Sequence, residues 1–513
     1  MKKSTIILFL ALVILFSFLL KIPTFFEPLS RDEGLYSYAS MVMEKGGILY
    51  KDVFEFKPPL VFNIYQFTHF ILGNTPFALR VFTAFYSLLS VFGIFLIGSC
   101  LFGAATGLIA SLIFGVFSSG IILEGNLANT EVFMLFPFIL SAYAFLLYLK
   151  KEKKWLIFVS GIFCAIAFLF KVVALTNFLL FASFLFFSRK NANKEDFTGK
   201  KLWLDLALLS SGFIFVIILV SLYFAQKGAL KEFLYAVFIF GFIYVRSSFG
   251  FQYLYNLIAN SFSVFCEGFL MWVTAVVSLW FILFQERRME GLFIALWFVF
   301  SCFGVFAGGR FYEHYYIQLL PALSLLSAYF FAQARESILK KWRFIKPTKN
   351  LLVVFIFGSF ILFIALNSRY YLNFFRMLSG RVSEVTYKSY FLYRNPIKIE
   401  AVSDFLKKNS KPEDYVYVWG AEPLVNYTSG RVSPTRYIIN FHTDNIIGAR
   451  QEVMKSLYLK KPCFIVLFLK PFPELNELLI SRYVLLKEIE GVQIYFKRQT
   501  NLYGKNKRIT SNY

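Results

Sequence analysis

Long runs of apolar residues dominate the first 366 positions of the chain. A run of about 20 such residues is long enough to cross a bilayer as a helix. On this template the pattern predicts eleven spans, at 4–20, 79–99, 104–123, 129–149, 155–170, 172–188, 202–226, 267–284, 291–307, 315–333 and 350–366. The first run is followed by Lys21-Ile22-Pro23 without a small-residue cleavage site. We therefore interpret it as an uncleaved anchor and not as a signal peptide.

Basic residues favour one side of these predicted spans. With the N-terminus inside, the inside segments contain Lys2-Lys3 and the basic clusters at 150–154, 189–201, 287–288 and 335–349. The short outside loops after the third, fifth and ninth spans hold only Lys171 and Arg310. Because basic loops tend to stay cytoplasmic, this asymmetry predicts a cytoplasmic-membrane protein. Its N-terminus is inside, and everything after the eleventh span is outside.

Two outside segments between the spans carry patterns of their own. In the first outside loop, 21–78, residues Glu33 to Gly47 show one apolar face and end at a glycine pair, which predicts an interfacial helix. The segment 227–266 is apolar and aromatic, so we expect it to follow the interface or to re-enter the bilayer.

The pattern changes after residue 366. Apolar runs shorten to strand length, and helical patterns lie between them, which is typical of an α/β domain. The predicted strands are Tyr415–Val418, Phe464–Leu467, Val484–Leu486 and Val492–Phe496, and the helical patterns are Ile399–Lys408 and Ile446–Leu459. The sequence thus predicts a polytopic α-helical membrane module at 1–366 and an extracytoplasmic α/β domain at 367–513.

Composition agrees with a membrane protein and narrows its chemistry. Of 513 residues, 58% are hydrophobic and 16% are charged, which excludes a soluble globule and a disordered chain. The net charge of +23 raises the question of nucleic acid. Since much of that charge orients helices, we expect membrane lipids and no nucleic acid as partners. The five cysteines and three histidines are too scattered for a disulfide framework or an HExxH metal site.

The first outside loop holds the best candidates for chemistry. Asp32 and Glu33 are adjacent acids close to the membrane surface, where one carboxylate can serve as a general base. The alternative is a pair of ordinary loop acids beside Arg31. Lys57 precedes Pro58-Pro59, which stiffens the backbone and holds an ammonium in a place that suits a phosphate. Its alternative is a lysine that snorkels beside a turn.

The order of several short motifs resembles a known family. They are Arg31-Asp32-Glu33, Tyr36, Tyr50-Lys51-Asp52, Lys57-Pro58-Pro59-Leu60 and Arg80. Together they resemble the dolichyl-phosphate-mannose protein mannosyltransferase family, which includes the bacterial aminoarabinose transferases that act on lipid A. These GT-C membrane glycosyltransferases move a sugar from an isoprenyl-phosphate carrier to an acceptor on the outer face of the membrane. The resemblance covers the first ten spans and, more loosely, the tail.

The resemblance implies a role for each matching residue of the first loop. Asp32 takes the position of the catalytic base, Glu33 is its partner, and Lys57 matches the lysine near the donor phosphate. Direct displacement with inversion at the sugar is then expected.

Later parts of the chain supply the other implied site residues. Glu131, at the start of the fourth span, matches the family's second acid, although many members have Asp there. Its alternative is a helix N-terminal acid with Thr130 as cap. Arg310 is implied as a phosphate ligand, and His314 and Tyr315 as donor or acceptor contacts. Their alternatives are a structural histidine at the interface and an aromatic-belt tyrosine.

Two questions stay open at this level. No cofactor is required by these residues, but a divalent cation on Asp32, Glu33 and Glu131 is an alternative. A transporter or flippase of lipid-linked sugars also fits eleven spans, and within the transferases the acceptor can be lipid A, a polysaccharide or a protein. The polar motifs cluster on one face and no internal repeat is visible, which favours an enzyme. The transferase hypothesis requires Asp32, Lys57, Glu131 and Arg310 to meet in one cleft.

Overall fold

The computed structural model describes residues 1–190, 199–246, 251–286, 289–331 and 347–498. Much of the predicted basic inside face, at 191–198, 287–288 and 332–346, lies outside these residues, so the orientation in the membrane stays a prediction. The α-helices are α1 Lys3–Lys21, α2 Arg31–Glu44, α3 Leu60–Leu72, α4 Pro76–Phe102, α5 Ala104–Phe117, α6 Thr130–Lys151, α7 Lys154–Phe168, α8 Leu175–Lys190, α9 Gly199–Gln226, α10 Leu230–Leu234, α11 Gly241–Arg246, α12 Phe251–Glu267, α13 Phe269–Phe281, α14 Met289–Ala307, α15 Leu320–Tyr329, α16 Pro347–Leu378, α17 Glu384–Ser389, α18 Pro396–Asn409, α19 Pro423–Ser429, α20 Asn440–Asn445, α21 Ala449–Lys460 and α22 Pro473–Arg482.

Several of these helices are long and apolar enough to cross a membrane. Within the described ranges there are five, at Lys3–Phe26, Pro76–Phe102, Thr130–Lys151, Gly199–Gln226 and Met289–Ala307. A sixth is formed if the pair Tyr253–Glu267 and Phe269–Phe284, bent by 96°, counts as one span. The predicted spans at 104–123, 155–170 and 172–188 are shorter apolar helices. A multi-pass membrane protein is thus supported, while the count of eleven stays a prediction.

Glycines allow neighbouring helices to approach each other closely. At the crossing of α7 and α9, a Cβ on Gly161 would lie 2.1 Å from the carbonyl oxygen of Leu209. A Cβ on Gly212 would lie 2.1 Å from the carbonyl oxygen of Phe158. Small residues at such crossings let backbones touch, which is a main source of helix association in membranes.

The predicted interfacial helix exists as α2, and its surroundings differ from the prediction. Ser30 caps it: its hydroxyl accepts from the backbone N–H of Glu33, whose carboxylate in turn accepts from the backbone N–H of Ser30. All residues from Glu33 to Val42 are buried, so the helix does not present a single apolar face. The reason is helix α19, which packs on α2 so tightly that a Cβ on Gly34 would lie 2.7 Å from Leu424 Cβ.

The segment after α9 also packs inward. Helix α10, a π-helical segment at Tyr235–Phe240 and α11 follow one another. Residues 247–250 of the predicted segment lie outside the described residues. The ring of Phe233 lies 5.7 Å from that of Tyr50, and Phe240 lies 5.5 Å from Phe54. This aromatic segment therefore contacts the first loop.

The C-terminal part forms one four-stranded sheet. Its strands are β1 Val416–Trp419, β2 Phe464–Leu467, β3 Tyr483–Ile489 and β4 Val492–Lys497, in the order β1-β2-β4-β3. β1 and β2 are parallel, and β4 runs antiparallel to both β2 and β3. The four predicted strands are confirmed to within a few residues, whereas the location of this part outside the membrane stays a prediction.

The helical part and the sheet share one apolar core. Buried residues of the helices and of β1 and β2 belong to the same contiguous cluster. The predicted boundary between 366 and 367 falls inside the continuous helix α16, and the division into two domains stays a prediction. The shared core places C-terminal residues directly beside the first loop.

The crossing of α7 and α9 gives a test of this packing. Gly161→Ala or Gly212→Ala should push the two helices apart and lower the free energy of unfolding by about 1–3 kcal/mol, as overpacking does. Thermal unfolding of the purified protein in detergent measures the effect. Gly241→Ala is the matched control, because nothing lies within 4 Å of the Cβ it would add. Equal stability of all three variants would contradict the close crossing.

Candidate active site

The backbone around Lys57 is held in place by hydrogen bonds. Tyr50 has a positive φ of 70° and begins a turn closed by its N–H and the carbonyl of Val53, at 2.8 Å. The side chain of Asp52 accepts from the N–H of Ile48, at 2.7 Å. The hydroxyl of Tyr50 then donates to the carbonyl of Lys57 itself, at 2.9 Å. Lys57 is thus held by the proline pair that follows it and by the hydrogen bonds of the Tyr50 turn that precedes it.

Asp32 and Lys57 are close enough to interact electrostatically. Asp32 lies in the first turn of α2 and, like Lys57, is partly exposed. Burial alone would lower the pKa of Lys57, but the carboxylates of Asp32 and Glu55 outweigh it and raise that pKa. The structure therefore brings the predicted base next to the predicted phosphate-binding lysine.

Glu131 lies in a second group of charges. Lys171 donates to its carboxylate, and the hydroxyl of Thr130 donates to it at 2.7 Å, so Thr130 does not cap the helix as expected. His314 Nε2 is 3.7 Å from Glu131 Oε1, and His314 Nδ1 is 3.1 Å from Glu124 Oε2. Glu131 thus connects the start of α6 to two cationic side chains from distant loops.

Aromatic rings join the two groups. The guanidinium carbon of Arg310 lies 4.3 Å from the centre of the Tyr244 ring, and the ammonium of Lys171 lies 3.7 Å from that of Tyr315. Both geometries are those of cation–π contacts. The charges of Lys57 and Arg310 both act on the hydroxyl of Tyr244. Tyr315 therefore contacts the cluster through Lys171, and its position relative to the membrane interface stays a prediction.

The structure brings together Asp32, Lys57, Glu131 and Arg310. Besides the contacts above, Glu131 acts on the charge of Lys57, and both Asp32 and Lys57 act on that of Lys171. His314 and Tyr315 join through Glu131 and Lys171. The chemical roles of these residues stay predictions.

Residues that the sequence did not single out complete the cluster. Sequence reasoning counted Lys171 only as a charge of an outside loop, and Glu124 was not among its candidates. The available signal was their isolation, because Lys171 is a cation in an otherwise uncharged outside loop. Tyr244 and Glu55 gave no such signal.

Comparisons with known proteins agree with this arrangement. Residues 56–218 match the model of a family described as dolichyl-phosphate-mannose-protein mannosyltransferase. The structure is similar to ArnT from Cupriavidus metallidurans bound to undecaprenyl phosphate, with a TM-score of 0.64 and 14% identity over 99% of this chain and 100% of that chain. It is also similar to the oligosaccharyltransferase AglB from Archaeoglobus fulgidus in complex with an inhibitory peptide and a dolichol-phosphate. That TM-score is 0.53, with 11% identity over 89% of this chain and 69% of that chain. Comparison with curated protein sequences gave no significant match.

The protein has the fold of the GT-C membrane glycosyltransferases. The resemblance seen in the sequence is confirmed, and the matching family model indicates a glycosyltransferase. The matched range contains Lys57, Glu131 and Lys171, and it begins after Asp32.

Glu33 has an environment different from those of the other acids near the site. Its carboxylate accepts from Arg80 at 2.7 Å, from the N–H of Ala128 at 2.8 Å and from the N–H of Ser30 at 2.8 Å. Both Glu33 and Arg80 have fully buried side chains. The sequence predicted a catalytic partner of Asp32 here, but the structure gives Glu33 a different position, as a brace between the first loop, α4 and the loop before α6.

The three acids proposed from sequence do not form one metal-ligand set. The oxygens of Glu33 are directed to Arg80 and to backbone N–H groups, and Glu131 is paired with Lys171. Among the residues the structure describes, no group of three or more His, Cys, Asp or Glu is arranged to hold a metal ion. The carboxylates present therefore do not fit the divalent cation that was kept as an alternative.

The buried ion pair predicts a large loss of stability when one partner is neutralised. Glu33→Gln leaves the charge of Arg80 buried without a counter-charge, which typically costs about 3–5 kcal/mol. Denaturant unfolding in detergent measures the change. Asp444→Asn, which breaks the exposed pair with Arg450, is the matched control and should leave stability unchanged. A small effect of Glu33→Gln would contradict the structural role of the Glu33–Arg80 ion pair.

His314 predicts a pH dependence of stability. Burial opposes its charge, but Glu131 and Glu124 outweigh burial and raise its pKa above 6.5. A group whose pKa is higher in the folded state than in the unfolded state stabilises the folded protein. This stabilisation is complete below the unfolded-state pKa and is lost as the pH rises through the folded-state pKa. The stability difference between wild type and His314→Gln should therefore be largest below about pH 6.5 and shrink above it. Glu124→Gln removes one of the carboxylates that raise the pKa of His314, so the stability difference should be lost at a lower pH. A difference that is independent of pH would contradict the ion pair.

Proposed function

We propose that this protein transfers a sugar from a polyprenyl-phosphate carrier to an acceptor on the outer face of the cytoplasmic membrane. The observation that carries the proposal is a partly exposed carboxylate, Asp32, that faces a group of cations from three separate loops. Lys57, Lys171 and Arg310 supply these cations. The acceptor class is a lipid such as lipid A, a polysaccharide or a protein.

The cations suit the phosphate of the donor. As the glycosidic bond breaks, negative charge develops on the leaving phosphate, and fixed cations in a site that excludes water stabilise it. The guanidinium of Arg310 matches phosphate oxygens, and Lys57 supplies a point charge. Support for a polyprenyl carrier comes from the two similar proteins, one bound to undecaprenyl phosphate and the other to a dolichol-phosphate.

Asp32 is the acid best placed to act as base. Glu33 and Glu131 are buried and engaged with cations, whereas Asp32 is partly exposed and makes no hydrogen bond to a described residue. An acceptor hydroxyl or amine attacks the anomeric carbon from the side opposite the phosphate, and its proton passes to Asp32. The bond between that carbon and the phosphate oxygen breaks, and its electron pair leaves with the phosphate. One displacement of this kind inverts the anomeric centre.

Asp32→Asn tests the base. An amide cannot take the proton, so transfer should fall by at least about 10²-fold, in the range that general-base catalysis supplies. Binding of undecaprenyl phosphate should persist, because the cations are unchanged. The measurements are turnover with a radiolabelled polyprenyl-phosphate sugar and binding of undecaprenyl phosphate to the same preparation. Asp404→Asn, at an exposed aspartate of α18, is the control. Normal turnover by Asp32→Asn would refute the assignment.

Independence from a divalent cation is a further prediction of this mechanism. The protein supplies the phosphate-binding charges itself through Lys57, Lys171 and Arg310, so transfer should keep its full rate in excess chelator. Turnover is measured with and without EDTA and again after Mg²⁺ or Mn²⁺ is added in excess. A loss in chelator that a metal restores would show that the cationic side chains are not sufficient.

A further inference from the structure

Two residues of the C-terminal part, Phe441 and His442, reach the site. They lie in the first turn of α20, which is anchored where the N–H of Asn440 donates to the carbonyl of Gly420, at 2.9 Å. A second link is close by, since the N–H of Phe54 donates to the carbonyl of Arg436, at 2.9 Å. The C-terminal part is therefore hydrogen-bonded directly to the loop that carries Lys57.

Phe441 contacts the arginine assigned to the donor phosphate. Its ring centre lies 5.6 Å from the guanidinium carbon of Arg310 and 5.4 Å from the ring of Tyr244, edge to face. Two aromatic rings from different parts of the chain thus hold one guanidinium. Removal of either ring therefore removes one aromatic contact of Arg310.

His442 lies in a cage of aromatic rings. Its imidazole is fully buried and lies 5.0 Å from Phe54, 5.8 Å from Phe240 and 6.2 Å from Phe56. Its Nε2 is 3.6 Å from Oε2 of Glu55, whose side chain is fully buried as well. Neither nitrogen of His442 makes a hydrogen bond to a described residue. Burial of such polar groups costs free energy that a phenylalanine in the same cage would not.

Glu55 connects this buried histidine to Lys57. Lys57 and Glu55 lie in the first loop with one residue, Phe56, between them, and the charge of each affects the pKa of the other. The titratable groups that face Glu55 are Lys57, Asp32, Tyr36, Tyr50 and His442. Burial raises the pKa of Glu55 to about 7, and burial together with Lys57 lowers the pKa of His442 to about 3. Near neutral pH the histidine is thus an uncharged polar neighbour of a titrating carboxyl.

We infer that Phe441 and His442 are positioning residues through which the C-terminal part holds Arg310 and Lys57 in place for the donor phosphate. This inference rests on the proposed function. Phe441 acts on Arg310 through the shared contact with Tyr244, and His442 acts on Lys57 through Glu55. The cost of the buried polar pair is explained if the pair sets the charge and position of Lys57.

The test uses the full-length protein in detergent, with undecaprenyl phosphate as the probe. His442→Phe keeps an aromatic ring in the cage and removes the nitrogens, and Phe441→Leu removes the ring on Arg310. Each should weaken binding about tenfold, a typical coupling between contacting residues. Ile447→Ala is the control, because Ile447 is fully exposed just beyond the same helix. Thermal unfolding is measured on the same preparations.

The pH profile of binding separates positioning from a structural role. Ionised Glu55 competes with the phosphate for Lys57, so wild-type binding should weaken as the pH rises through about 7. Glu55→Gln should lack this component, and comparison with it removes the phosphate's own titration. His442→Phe removes a polar neighbour of Glu55 and should raise the pKa of Glu55. The midpoint of the binding profile of this variant should therefore move to higher pH. A histidine that only fills space leaves the midpoint where it is.

The outcomes are distinct. If wild type binds the probe and both variants bind it equally well with an unchanged midpoint, the inference is wrong and the proposed function stands. A lower unfolding temperature with unchanged binding overturns it in the same way. If wild type itself does not bind undecaprenyl phosphate, the proposed function fails and the inference fails with it. Should His442→Phe not fold, Phe441→Leu decides by its effect on binding.

Discussion

The buried ion pair between Glu33 and Arg80 is the constraint on which the site depends. An unpaired charge in such surroundings is very costly, so each partner fixes the other. Arg80 also donates to the carbonyls of Pro28 and Asn126, each at 3.4 Å. The pair therefore joins the start of α2 to α4 and to the loop before α6. Asp32 is next to Glu33 in sequence, so its place follows from that of the pair.

Two adjacent carboxylates have different environments because of helix geometry. Successive side chains of an α-helix point about 100° apart, so Glu33 faces the interior when Asp32 faces the cluster. Glu33 is enclosed by donors, so its carboxylate is not accessible to a ligand. Asp32 keeps solvent access and acts electrostatically on Lys57. One helix start thus supplies a buried structural acid and an accessible acid.

The cations and acids of the site balance each other in a way that suits an anionic ligand. Glu131 is paired with Lys171, and burial lowers the pKa of Lys171 despite this partner. Lys57 has only carboxylates at longer range, and their combined field raises its pKa. A phosphate that approaches Lys57 and Arg310 therefore has no tight ion pair to break on Lys57, while Lys171 keeps Glu131 from competing for the donor.

Local pattern predicted much of this, and long-range contacts account for the rest. Strand-length apolar runs located β1 to β4, and an apolar face ending at a glycine pair located α2, because both signals are local. Asp32 and Lys57 stood out by residue type and position. Glu131 and Arg310 came from motif resemblance, since no periodicity links positions nearly 280 residues apart. The enclosure of α2 by α19, the contact of Phe441 with Arg310 and that of His442 with Glu55 depend on packing between distant segments that no local pattern contains.

The same long-range packing gives the C-terminal part a place in the proposed mechanism. A polyprenyl donor is anchored by its tail in the lipid, so its phosphate arrives at a depth that the membrane fixes. The protein must then place its cations at that depth with little freedom, because a misplaced charge loses much of its effect on a developing phosphate. Lys57 and Arg310 both lie on irregular loops, which hold a position poorly without support. Aromatic contacts from Phe441, Phe240 and Tyr244 on one side, and the hydrogen bonds of the Tyr50 turn on the other, supply that support. A shared apolar core between helices and sheet is what makes such support rigid, and it accounts for the absence of a solvent-filled gap between α2 and α19.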